Sequence, residues 1–230
     1  MKKMCGKTKQ KVFAIIPAYE EANSVGRVVS EVLPYVDKAL LIDDGSRDGT
    51  KIEAKKAGAY VVPLPLNLGQ GMALRTGFII AKREKADIII TLDADGQHDP
   101  KEIPNLIKFI ENGKADIVVG SRFQGEHNST LVRYLGIQFF TWIVRNLVGL
   151  KISDLTCGFR ALRREVLENL KLEQDQYSAP ELLIKGALAG FKIIEVPVNI
   201  TSRAFGKPKK KMSTYWYGLL KSIFSSISEK

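Results

Sequence analysis

The stretch Asp87-Ile-Ile-Ile-Thr-Leu-Asp-Ala-Asp-Gly-Gln-His-Asp99 sets three isoleucines, a threonine and a leucine directly before two carboxylates and a glycine. A short apolar run bounded by turn residues reads as a strand buried on both faces. A carboxylate set hard against such a strand needs a partner, because an unpaired charge beside a buried segment is costly. In an extended segment residues two apart point the same way, so Asp93, Asp95 and Gln97 are expected to share one side. Three oxygen donors on a short polar loop suit a hard divalent cation, Mg2+ or Mn2+, that keeps open positions for phosphate oxygens. The plain alternative is a solvated acidic loop. His98 could serve as base or ligand, although a single loop histidine is more often neither.

Working outward, short apolar runs alternate with helical segments, the pattern of an α/β sheet. Strands are expected at Val12–Ile16, Ala39–Ile42, Tyr60–Val62, Asp87–Leu92 and Asp116–Val119. Helices are expected at about 24–33, 48–57, 69–82 and 101–112. Four βα units in about 110 residues imply a mostly parallel, Rossmann-like sheet with right-handed connections. After residue 120 the rhythm changes. Leu131–Leu150 is a long apolar helical segment carrying Arg133 and Arg145, either packed under the sheet or facing a membrane. Pro180–Ala189 reads as helix and Ile193–Val198 as a closing strand. From Met212 to Ile227, Tyr215, Trp216, Leu219, Leu220, Ile223 and Phe224 recur at helical spacing, predicting an amphipathic C-terminal helix.

Ligands of open parallel sheets bind beyond the carboxyl ends of the strands, which directs attention to three more places. Pro17-Ala-Tyr-Glu-Glu21 follows the first strand and offers Tyr19 as a flat face for a base. Asp43-Asp44-Gly45-Ser46 follows the second, where a turn of the Asx type accounts for Asp43 better than for Asp44. Gly120-Ser121-Arg122 follows the fifth, and Arg122 suits a phosphate or a structural ion pair equally.

Composition narrows the partners. Apolar residues make up 45% and charged residues 26%, ordinary for a globular domain, but the net charge is +10. Residues 1–11 carry five lysines and no acid, and residues 201–230 carry seven basic residues and one acid, so the body between them is near neutral. A basic tail suits nucleic acid, an anionic bilayer or a phosphorylated substrate. No nucleic-acid motif accompanies it, and nucleic acid is not expected as a partner. Cys5 and Cys157 lie far apart and suit a reducing compartment. Val12–Tyr19, broken by Pro17, reads as a strand rather than a signal peptide. The longest uncharged apolar stretch, Tyr134–Val144, is short of the roughly 20 residues of a spanning helix.

In order along the chain, PAYEE, DDGSRDGT, NLGQGMALRTGF, LDADGQHDP, GSRF and DLTCGFRAL resemble the family 2 glycosyltransferases, inverting enzymes of GT-A fold. The likeness runs from about residue 12 to 211, giving a basic N-terminal tail (1–11), a GT-A domain (12–211) and an amphipathic C-terminal tail (212–230). DADGQHDP followed by GSRF and DLTCGFRAL is most similar to the dolichyl-phosphate mannose or glucose synthase branch. The resemblance implies a nucleotide-sugar donor, a polyprenyl or dolichyl phosphate acceptor, and a divalent metal. Pro17, Tyr19, Glu21, Ile42 and Ala94 would line the nucleoside pocket, with Asp44 holding the base. Asp93 and Asp95 would form the DxD metal element, completed by Gln97. Arg122 and Arg133 would receive the acceptor phosphate, and Arg203 with Lys207 would close over the diphosphate or acceptor. Asp154 and Glu181 match positions near the acceptor, Asp154 as a catalytic candidate beside Asp95.

The chain departs from the pattern in places. Glu20 stands where Asn is common, Cys157 where Ser is common, and Arg203-Ala-Phe-Gly-Lys207 replaces an acidic-glycine spacing. Relatives often continue into transmembrane helices; here the tail helix or a membrane-anchoring partner protein would hold the enzyme at the cytoplasmic face of a membrane. A nucleotidyltransferase is disfavoured, because PAYEE has neither the glycine nor the basic residue of a phosphate loop.

Overall fold

The computed structural model describes residues 9–121, 131–175 and 178–201, together with Leu220 and Ser225. Its strands are β1 (Val12–Ala18), β2 (Lys38–Asp43), β3 (Tyr60–Pro63), β4 (Ile88–Thr91), β5 (Ile117–Ser121), β6 (Arg160–Arg163) and β7 (Ile193–Pro197). The helices are α1 (Val25–Val32), α2 (Thr50–Lys56), α3 (Gln70–Arg83), α4 (Ile103–Glu111), α5 (Leu131–Val148), α6 (Arg164–Asn169) and α7 (Ser178–Leu188). One seven-stranded sheet has the order β3-β2-β1-β4-β6-β5-β7. β6 runs against both its neighbours, β4 and β5, while the other ladders are parallel.

Every residue of β1 is buried, as is every residue of β4 and β5. This is why these segments are continuous apolar runs rather than alternating ones. The helices flank the sheet with one apolar face inward; α1 buries Val25, Val28, Val29 and Val32, at helical spacing. α3 packs on β1 and β2, and Gly77 permits the approach: a Cβ there would lie 2.4 Å from Ile15 Cγ2.

The expected parallel sheet is present with one strand added. β6 has four residues with arginine at each end, so no apolar run marks it, and α6 directly follows it. The helix expected over 101–112 starts as a 3-10 turn at Pro100–Glu102. Asp99 caps that turn by accepting the Lys101 N–H, and α4 follows with Pro104 in its first turn. The expected C-terminal helix lies mostly outside the described residues; Leu220 is helical and packs partly buried against the core. Among the described residues no helix is long and apolar enough to cross a membrane.

The topology sets the site. The six like-directed strands end at one edge, at Ala18, Asp43, Pro63, Thr91, Ser121 and Pro197, and the reversed β6 begins there, at Arg160. Filling the α3–β1 contact should unfold this frame first. Gly77→Val is expected to lower stability by about 2–3 kcal/mol through overpacking on Ile15, read as a shift in the urea unfolding midpoint.

Candidate active site at the carboxyl edge of the sheet

The chain leaving β4 turns back instead of running extended. Asp95 Oδ1 accepts the Gln97 N–H at 3.0 Å, and Gly96 takes φ +74°. An aspartate that bonds backbone two residues on competes with extension, and glycine permits the left-handed step. Asp93, Asp95 and Gln97 are therefore gathered on a tight turn rather than by strand alternation.

Each has defined partners. Asp93 Oδ1 accepts from Gln70 Nε2 at 2.7 Å, and the Asp93 N–H points to His98 Nδ1 at 3.3 Å. Gly158 lies against the Asp93 carboxylate, where a Cβ would sit 3.2 Å from both oxygens. The Gly158 carbonyl in turn accepts from Thr91 Oγ1 at 2.7 Å. Gln97 Nε2 donates to the Thr201 carbonyl at 3.2 Å, the Thr201 N–H returns to the Gln97 carbonyl at 3.0 Å, and His98 bridges Ile200. The segment leaving β7 thus lies across the turn.

Beyond β1 and β2 the two loops interlock. Pro17 pairs with Ile42 in the ladder, and the Asp44 N–H donates to the Ala18 carbonyl. Glu20, at φ 52°, donates its N–H to Ser46 Oγ, and Glu21 donates its N–H to Thr50 Oγ1. Tyr19 and Glu21 are half-buried, and Ala94 is buried. Asp43 Oδ1 accepts the Ser46 N–H at 3.3 Å, three residues on rather than the two of an Asx turn. Asp44 accepts the N–H groups of Leu68 and Gly69 at 2.8 and 2.9 Å, fixing the loop that opens α3. Burial raises the Asp44 carboxyl above its ordinary range, the two N–H donors opposing and Asp43 adding to the shift.

On the β6 side the charges are interior. Arg160 is fully buried, and burial pushes its guanidinium down to about 10, with Cys157, Asp154 and Asp93 pulling it back up. It donates to the carbonyls of Ala179 and Leu155. Asp154 is also fully buried, Oδ1 accepting from the Thr156 N–H and hydroxyl, while Glu195 holds the N–H groups of Ser153 and Asp154. Glu181, equally buried, accepts the N–H groups of Glu173 and Gln174 and pairs with Lys185. That loop reaches α3, where the Asp175 carbonyl accepts from Gly71 and Met72.

Asp93, Asp95 and Gln97 thus lie on one turn, where the Gln97 N–H meets Asp95, and Asp44 is tied to the loop that opens α3. Arg122, Arg203 and Lys207 lie outside the described residues, as does the side chain of Arg133. Three contacts have no counterpart in the sequence reading. Gln70 sits inside the quoted NLGQG motif, a polar side chain in the first turn of a helix that starts at the sheet edge. Gly158 sits inside the quoted DLTCGFRAL motif, and Thr201 carries no local signal.

This arrangement can be set beside known proteins. The family model described as glycosyl transferase family 2 matches residues 13–171. The chain belongs to glycosyl transferase family 2. An uncharacterised protein of Methanocaldococcus jannaschii is 34% identical over 198 residues, 83% of this chain and 82% of that one. The polyprenol monophosphomannose synthase of Mycolicibacterium smegmatis is 32% identical over 216 residues, 87% of this chain and 81% of that one. Among solved structures, glucosyl-3-phosphoglycerate synthase from Mycobacterium tuberculosis, in complex with Mn2+, uridine-diphosphate-glucose and phosphoglyceric acid, superposes with a TM-score of 0.78. It is 21% identical, over 95% of this chain and 80% of that one. The family 2 chain accordingly has the GT-A fold, and it is a glycosyltransferase.

Asp44 is where the family frame is most open to test. Asp44→Ala leaves two loop N–H groups without acceptors and is expected to cost about 1–3 kcal/mol. Asp44→Asn, which keeps one acceptor oxygen, should lose less. Thermal and urea unfolding of the two variants compare them.

Proposed function

We propose that this protein transfers a hexosyl unit from a nucleotide-sugar, of the GDP-mannose or UDP-glucose type, to a polyprenyl or dolichyl phosphate at a membrane surface, with Mg2+ or Mn2+. The observation that carries the reading is the turn after β4, which carries both Asp93 and Asp95 at the carboxyl edge. The donor set is hard oxygen throughout, the kind that Mg2+ and Mn2+ favour. Gly158 keeps the flank of the Asp93 carboxylate clear, and the Gln97 amide is oriented by Thr201 through its Nε2, leaving Oε1 to ligate. Among the described residues no group of three His, Cys, Asp or Glu side chains is placed to hold a metal ion. A cation held by two carboxylates and an amide would keep positions for phosphate oxygens.

The bound cation supplies positive charge that offsets the charge building on the departing nucleoside diphosphate. Pro17, Tyr19, Glu21, Ile42 and Ala94 line the nucleoside side, and Asp44 holds the base or the loop beside it. The acceptor phosphate oxygen forms a bond to the sugar C1 as the C1–O bond to the diphosphate breaks, with inversion. A phosphate monoester has its second pKa near 6 and is largely ionised at neutral pH, so it needs little help from a base. Arg122 and Arg133 position that phosphate, and Arg203 with Lys207 neutralise the diphosphate side. The relatives named for polyprenol phosphate support this acceptor. A different glycan or lipid acceptor on the same donor site is the second reading.

The membrane side rests on α5. Leu135, Phe139 and Trp142 follow at helical spacing and are 56%, 55% and 60% exposed, and the Phe139 and Trp142 rings stack outside the core. Arg145 and Lys151 are exposed nearby, and Leu131–Lys151 contains no acid. An apolar aromatic face with only basic charge around it suits an anionic lipid interface.

Incubation with labelled nucleotide-sugars, polyprenyl phosphate and Mn2+ should move label into the lipid phase. EDTA should abolish the transfer, and Asp93→Asn or Asp95→Asn should slow it by about 100-fold or more. Donor hydrolysis or transfer to a water-soluble acceptor instead of lipid would move the assignment to the second reading. Separately, the double change Phe139→Glu and Trp142→Glu should abolish flotation with anionic liposomes at low salt. Flotation equal to the parent would remove α5 from the membrane face.

A further inference from the structure

His98 is not at the surface of the metal turn but beneath it. Its side chain is 7% exposed, its ring stacks on Phe159 with centroids 5.2 Å apart, and its Nε2 faces Cys157 Sγ at 4.0 Å. The other nitrogen, Nδ1, receives the Asp93 backbone N–H. A backbone N–H can only donate, so Nδ1 is the acceptor and the proton of the neutral ring resides on Nε2, toward the sulfur. The two residues are five apart and close the turn that carries Asp93, Asp95 and Gln97.

The surroundings hold the ring in this pose. Phe159 is fully buried and leads into β6, and the preceding Gly158 is fixed by Thr91 Oγ1 at the end of β4. The His98 backbone bridges Ile200 on the outer side. The imidazole is thus wedged between the start of the reversed strand and the turn, with one nitrogen on the backbone of Asp93. Among the described residues no donor other than that N–H is directed at Nδ1.

We propose that His98 is a positioning residue of the metal site: through Nδ1 it holds the Asp93 backbone in the turn, and so sets where the Asp93 carboxylate meets the cation. His98 touches neither the cation nor the sugar; it acts through Asp93. The inference rests on the reading of Asp93 and Asp95 as metal ligands and adds to it the group that makes the turn rigid. It predicts that the hydrogen-bond acceptor, not the ring, is what matters.

Two substitutions separate acceptor from ring. His98→Asn keeps an acceptor, Oδ1, the same number of bonds from Cβ as Nδ1, and loses the stack. His98→Phe keeps the ring on Phe159 and loses the acceptor. Mn2+ is titrated into each full chain, alone and with GDP or UDP present, and the loss of the free-Mn2+ EPR signal is followed, with Asp93→Asn as control and thermal unfolding without metal as the check on folding. His98→Asn should bind Mn2+ within about two-fold of the parent, and His98→Phe about five-fold more weakly, the worth of one hydrogen bond. His98→Phe turnover should recover at saturating Mn2+. Equal binding by both variants and the parent, or weakening in His98→Asn with none in His98→Phe, overturns the proposal. A parent that binds no more Mn2+ than Asp93→Asn overturns the metal reading itself, a distinct result. Independently of metal, long-range 1H–15N NMR of the parent should show Nδ1 bare and Nε2 protonated; a proton on Nδ1 in the native state also overturns the proposal.

Discussion

Asp93 stands one residue beyond Leu92, which is fully buried, and it carries its charge at the rim of a sheet whose interior cannot solvate it. The sheet edge is arranged around that carboxylate. Gln70 comes to one of its oxygens from the first turn of α3, His98 holds its N–H, and Gly158, lacking a Cβ, lies against the carboxylate without crowding it. Gly158 can be there only because β6 is reversed. The register sets Thr91 opposite Arg160, so the residues entering β6 lie beside those leaving β4. A parallel strand in that place would bring its end, not its start, to the rim, and the room beside Asp93 would be filled by whatever followed it.

The parallel part of this frame was legible because burial on both faces leaves a plain signature. Runs such as Phe13–Ile16 and Ile88–Ile90 have no other physical use, and the turn chemistry after each marks the edge. β6 was not legible for the converse reason. Its Arg160 is fully buried, with Nη1 and Nη2 received by the carbonyls of Ala179 and Leu155, which lie at positions no local pattern anticipates, and with Nε lacking a partner among the described residues. A guanidinium inside a strand reads as a surface residue until the carbonyls that receive it are known. The Asp93–Gln97 segment shows the same limit at shorter range. Alternation was a fair expectation for an extended chain, but Asp95 and Gly96 together favour the turn, so side-chain direction along it no longer follows the alternation.

The site divides along similar lines. Carboxylates at strand ends were visible from the sequence, since position after an apolar run is local information. What each carboxylate contacts was not. Asp44 was expected to face a ligand, and its described contacts are the N–H groups of Leu68 and Gly69, which begin α3. Gln70 meets Asp93 across 23 residues and Gln97 meets Thr201 across 104, separations over which no periodicity carries a signal. Asp154 and Glu181 are buried and engaged with backbone N–H groups of their own neighbourhoods, an arrangement that stabilises loops at the rim.

These loop contacts bear on how a diphosphate can be held. A helix N-terminus at a sheet edge is a ready anion site, because its first N–H groups lack partners. α3 begins at this edge, and part of that end is already engaged: the Gly71 and Met72 N–H groups donate to the Asp175 carbonyl, and just before the helix the Leu68 and Gly69 N–H groups donate to Asp44. Gly71 allows the fit, since a Cβ there would fall 2.2 Å from the Gln174 carbonyl oxygen. With those N–H groups engaged by the protein itself, α3 offers a diphosphate less than a free helix end would, and on the proposed donor site the carboxylates of Asp93 and Asp95 would repel it. On that proposal the compensating charge would come from a cation held by those carboxylates. The partly engaged start of α3, from which Gln70 reaches Asp93, therefore suits the proposed metal-dependent donor site better than it suits a glycine-rich phosphate loop.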